Sequence, residues 1–136
     1  MELDDLNARV AEAILRAERL PEGSDQAQEA FREVERIEES IADLTPAHAL
    51  EGEIARLGAV TAALSAAEPL RALLLVDRYL AEGLSPEATA KLEALRVEAD
   101  AELAEVASKV PAVRPVKYTL QQAADTSPAP LTSTVR

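Results

Sequence analysis

The sequence predicts an all-α fold: a bundle of about four to five helices with antiparallel helical hairpins, followed by an extended C-terminal tail. Three observations carry this expectation. Apolar residues recur at three- and four-residue spacing along most of residues 1–110. Pro21, Pro46, Pro69 and Pro86 fall between those stretches and punctuate them. From Pro111 onward the helical period disappears into a segment rich in Pro, Ser, Thr and Ala. The expected domains are therefore a helical bundle over 1–110 and a Pro-rich tail over 111–136.

The first segment, from about Leu3 to Leu20, carries the stripe Leu3, Leu6, Val10, Ala13, Ala17 and Leu20. That alternation of three and four is a narrow seam of the coiled-coil kind, stopped by Pro21 and Gly23. Ser24 or Asp25 caps the second segment. Its apolar face is Ala27, Phe31, Val34, Ile37, Ile41 and Leu44; Arg32, Glu35, Arg36, Glu38 and Glu39 form a charged face expected to be solvated. Thr45-Pro46 reads as an N-cap with proline at the first helical position. The third stripe is then Leu50, Ile54, Leu57, Thr61 and Leu64, and the small residues of Gly58 to Ala67 should sit deep in the bundle. Glu68-Pro69 breaks or kinks the helix before Leu70 to Leu80, the most apolar stretch, which is either central or covered by a partner; burial of Leu74 distinguishes the two, and Tyr79 is expected as a core anchor. Gly83 closes that helix and Leu84 follows with an apolar contact. Ser85-Pro86-Glu87 combines a cap, an N1 proline and an acidic first turn, opening a helix with Ala88, Leu92, Leu95, Ala99, Leu103 and Val106 on its seam and an end near Lys109.

The tail contains the pattern Val116-Lys117-Tyr118-Thr119-Leu120, which alternates as a short strand does, and Pro115 restricts it to a sheet edge at 116–120. The net charge of −11 divides into −13 for the helical part and +2 for residues 111–136. The tail is expected to be held by the bundle's own groove, another copy or a different protein; strand addition through Val116, Lys117, Tyr118 and Leu120 is one physical route, with Tyr118 either anchoring in a partner's pocket or packing back on its own bundle.

Composition excludes much chemistry. Without Cys there is no disulfide framework, thiolate metal site or cysteine nucleophile. A single His, His48, leaves no Glu-x-x-His di-metal motif and weighs against multi-His metal sites and Ser-His-Asp chemistry; beside Glu51 it reads as solvated. The four glycines are scattered singly, so no phosphate-cradling loop is present. The acidic balance opposes nucleic-acid binding. Leu57 to Ala67, the longest uncharged stretch, is too short to span a bilayer. Met1 to Asp5 lacks a basic n-region and an apolar h-region, so no signal peptide is expected. No enzyme activity, cofactor, metal site or membrane association is expected, and the setting is cytoplasmic or virion-associated.

At the end of the chain, Leu131-Thr132-Ser133-Thr134-Val135-Arg136 is similar over six residues to the C-terminal targeting peptides of encapsulin cargo proteins. Those peptides follow a Pro/Ser/Ala linker and seat spaced aliphatics in a groove of the shell; here a Thr stands where they carry Gly-Ser. The resemblance implies that Leu131 and Val135 are partner contacts.

The expectation from these readings is a structural assembly protein that docks on other subunits through helix faces and its tail, such as a bacteriophage head, connector or tail accessory component. Homo-oligomerisation is expected, because many seam positions are among the 28 alanines and bury little area. A coiled-coil adaptor or regulator that binds a partner helix is the alternative, with shell cargo as a variant.

Overall fold

The structure, a computed structural model, describes residues 2–109. They form five helices: α1 (Leu3–Glu18), α2 (Asp25–Leu44), α3 (Leu50–Ser65), α4 (Pro69–Leu80) and α5 (Pro86–Ser108). The fold is an all-α bundle. The tail residues Val116, Lys117, Tyr118, Leu120, Leu131 and Val135, and the strand expected at 116–120, lie outside the described residues.

Each boundary has a local cause. Ser24 Oγ accepts from the Ala27 amide and caps α2. Ser85 Oγ accepts from the Ala88 amide and does the same for α5. Pro69 stands at the first position of α4. Between α3 and α4 the chain turns through Ala67, whose φ of 60° is left-handed, and the Glu68 amide donates back to the Ala63 carbonyl.

One boundary differs from the sequence expectation. Thr45-Pro46 does not open α3. Thr45 is buried and its hydroxyl donates back to the Ile41 carbonyl, so it closes α2. The chain then turns, the Ala49 amide donating to the Pro46 carbonyl, and α3 starts at Leu50. Gly52 explains the close fit, because a Cβ there would collide with the Pro46 carbonyl.

Helix directions follow from side-chain contacts. Arg16 meets Glu33, while Leu6 and Ile37 share a groove, so α1 and α2 are antiparallel. Arg56 reaches the Ala42 and Thr45 carbonyls at the end of α2, and Glu38 lies against Gly58, so α2 and α3 are antiparallel too. Arg32–Glu68, Arg71–Glu39 and Arg78–Asp43 run in the same order along both chains, placing α4 parallel to α2. The start of α5 meets α3 where Ser85 donates its amide to Glu53, and further along Glu102 shares a cleft with Leu64 and Ser65. α5 thus runs parallel to α3.

The core joins all five helices through Leu6, Val34, Ile41, Val60, Leu75, Tyr79 and Leu92. Along α3 the buried face is Gly52, Ala55, Arg56, Ala59, Val60, Ala62 and Ala63. This confirms that the small-residue stretch lies deep, and it overturns the expected leucine seam. Leu50 is 74% exposed and Ile54 57% exposed, with Leu57 and Leu64 only half-buried. The physical reason is approach distance: α3 packs on both α2 and α4, and short side chains admit two neighbouring backbones where leucines would hold them apart. Leu44 and Val106, expected on seams, are also exposed.

Candidate functional site

The charged side of α2 is a built interface, which corrects the expectation of a solvated face. Glu35 and Glu38 are buried, and Glu39 is largely covered. Arg71 Nη2 lies 2.6 Å from Glu39 Oε2, and Arg71 Nε lies 3.5 Å from Glu35 Oε2. The second contact is coulombic only, since that Glu35 oxygen has no hydrogen-bond donor. Arg78 continues the row to Asp43 at 2.8 Å. On the opposite flank of α4, Asp77 pairs with Arg96 of α5. The hydrogen bond that Arg96 donates to that aspartate holds its guanidinium above its ordinary pKa, and bonds to Glu68, then Glu29, do the same for Arg32.

Between these two rows, α4 presents an uncovered apolar ridge. Leu70 is 61% exposed and Leu74 57%, one helical turn apart. Leu74 is therefore not central, so of the two placements the sequence allows for this stretch the central one does not hold at this position. The core positions of α4 are Ala72, Leu75, Val76 and Tyr79. Position 74 falls outside the buried stripe because α4 is covered by α2, α3 and α5 on its other sides, and the Arg71 and Arg78 rows fix its rotation.

Arg56 ties the opposite end together. It is buried, donates to the Ala42, Thr45 and Gly52 carbonyls, and pairs with Glu82 at 2.6 Å. Its guanidinium lies 5.6 Å from the centroid of the Tyr79 ring, and Arg78 lies at the same distance. Burial pushes the Tyr79 hydroxyl up to about 12, and its oxygen has no hydrogen-bond partner. Glu38, without a hydrogen bond and pressed against Gly58, is pushed up to about 7 by desolvation alone. The Ser85 backbone amide holds the Glu53 carboxyl below its ordinary range.

A second feature lies where the end of α1, the start of α2 and the end of α3 meet α5. Here a cleft of about 490 Å3 has Phe31, Leu64 and Ala17 among its lining, with Glu18, Glu22 and Glu102 around them. Phe31, expected as a core anchor, is only half-buried here. Among the described residues no group of His, Cys, Asp and Glu side chains is placed to hold a metal, and no helix is long and apolar enough to cross a membrane.

Sequence reasoning missed the α4 ridge, the α2–α4 ion-pair rows and the cleft. A signal for the rows was present: Glu35, Glu39 and Asp43 at four-residue spacing match Arg71 and Arg78 seven apart. The partner helix, however, is set by tertiary packing. Comparison with protein-family models, curated proteins and solved structures finds no match.

Proposed function

We propose that this protein is a non-enzymatic assembly module that docks on other protein subunits through exposed helix faces, with α4 as the principal docking helix. The observation that carries this reading is the Leu70–Leu74 ridge, apolar and exposed between two rows of satisfied ion pairs. An exposed apolar strip with a polar rim is the usual anatomy of an interaction surface. Its four-residue spacing suits a partner helix packed along α4. Charge favours the same face. In a chain of net charge −11, the arginines of α4 pair with Glu39 and Asp43 and its aspartate with Arg96, so an approaching acidic subunit meets charges there that are already matched. A virion component or another large assembly fits this behaviour. An adaptor that binds a single partner helix would use the same ridge. Val116, Lys117, Tyr118, Leu120, Leu131 and Val135 belong to the proposal as a second attachment point in the tail.

The test combines light scattering with co-purification. Full-length protein should run as an oligomer or carry a bound subunit, and Leu70→Glu with Leu74→Glu should release it while leaving helicity and melting unchanged. A strongly melting monomer with no bound subunit, unaffected by the double substitution, would refute the reading. A chain ending at Lys109 that still joins its complex would remove the tail from it.

A further inference from the structure

We propose that the cleft between the end of α1, the start of α2, the end of α3 and α5 binds a basic peptide segment that carries an apolar anchor beside its Lys or Arg. This surface is separate from the α4 ridge and does not depend on the role assigned to that ridge.

Three observations converge on this ligand class. First, the volume of about 490 Å3 lies in the range of ligand pockets and admits a few side chains. Second, its apolar lining is left partly uncovered, since Phe31 and Leu64 pack on the core with only part of their surface. That leaves area for an incoming aliphatic or aromatic side chain. Third, all of the charge around that lining is of one sign. Glu18, Glu22 and Glu102 border the cleft, and no basic side chain lines it. Of the arginines in the neighbouring turns, Arg16 pairs with Glu33 and Arg32 with Glu29 and Glu68, while Arg19 is exposed at the end of α1 and does not line the cleft. Glu102 Oε1 is buried with no hydrogen-bond partner among the described residues. A carboxylate oxygen removed from water without a donor is costly, and a guanidinium or ammonium supplies that donor with matching charge.

The alternatives fit less well. The carboxylates are not grouped to hold a metal ion. A purely apolar ligand leaves Glu102 unpaired, and an acidic one meets three like charges. A peptide with alternating basic and aliphatic residues answers both the apolar lining and the rim, because neighbouring side chains deliver the two chemistries together.

The experiment uses the full-length protein and a labelled, end-blocked Arg-Leu-Lys-Leu-Arg peptide, followed by fluorescence anisotropy at about 150 mM salt, where long-range attraction is screened. The expected result is saturable binding that Glu102→Gln weakens at least about fivefold, several tenths of a decade in Kd. Glu12→Gln, which makes the same change in net charge on the exposed side of α1, should leave it unaltered. Amide shifts in the spectra of the unlabelled complex should centre on Phe31, Leu64 and Glu102. Three results would overturn the proposal: no saturable binding, equal weakening by both substitutions, which would mean attraction to the acidic surface at large, or equal affinity for a Glu-Leu-Glu-Leu-Glu peptide. Each variant should first melt as the parent does; if Glu102→Gln does not, Glu18→Gln with Glu22→Gln tests the same rim from exposed positions.

Discussion

The Glu38 carboxyl sets a pH dependence that a surface glutamate would not. It lies in the α2–α3 seam with no hydrogen bond, against the Cα of Gly58, and its folded pKa is raised from 4.5 to about 7. The folded state thus holds this proton more tightly than the unfolded chain. Its stabilising contribution is complete below about pH 4.5 and is lost as pH rises through about 7, a change of roughly 3 kcal/mol. Glu38→Gln should therefore be near neutral at about pH 4.5 and stabilise by about 2 to 3 kcal/mol at about pH 8, measured by urea unfolding at both. Gly52 offers a second test at this scale. Alanine improves helix propensity by about 1 kcal/mol, but its Cβ would meet the Pro46 carbonyl, which is backbone and cannot swing away. Gly52→Ala should be destabilising overall by about 1 to 3 kcal/mol, seen as a lower denaturation midpoint.

At the scale of elements, α4 and the α5 start give sharp contrasts. Leu74 and Leu75 are adjacent in sequence and opposite in environment. Leu75 is fully buried, so Leu75→Ala should cost about 2 to 5 kcal/mol, while the exposed Leu74 should tolerate alanine at under about 0.5 kcal/mol. Equal costs would mean that α4 is rotated. Ser85→Ala should cost about 1 kcal/mol by removing the acceptor for the Ala88 amide, read as a fall in melting temperature. The two caps at Ser24 and Ser85 were legible because Ser followed by Asp, or by Pro-Glu, satisfies free amides through purely local contacts. Thr45-Pro46 looked similar and failed, because the Thr45 hydroxyl has an acceptor behind it in the Ile41 carbonyl and a buried Arg56 that takes its own carbonyl.

Over the whole molecule, Arg56 is the tie that makes the helices interdependent. It satisfies two carbonyls at the C-terminal end of α2 and one within α3, and pairs with Glu82 beyond α4. A cation at the end of α2 also opposes that helix's dipole. Arg56→Met should cost about 3 to 5 kcal/mol, because it strands buried carbonyls as well as removing a charge, and calorimetric melting should show it. Lysine should not rescue it, since one ammonium cannot reproduce the planar fork. The ion-pair rows on α4 contribute differently: the exposed Arg78–Asp43 pair adds under about 1 kcal/mol, while Arg71 also compensates the buried Glu35. Their larger effect is to fix the rotation of α4 and thereby which leucines face outward.

The local sequence specifies the helices, most of their boundaries and the deep position of the alanine-rich stretch. Those features rest on period, capping and side-chain size, all of them local. It did not determine which face each helix buries. On α3 the larger side chains of Leu50 and Ile54 marked the wrong face, because packing between two neighbours selects Ala59, Ala62 and Ala63. Likewise, Glu35 and Glu38 read as surface charges and became buried once α3 and α4 covered them. Packing between helices leaves Leu70 and Leu74 uncovered and brings Glu18 and Glu22 to the same cleft as Glu102, far away in the chain. Helix periodicity records which residues share a face, whereas the neighbour that covers that face is set by long-range packing.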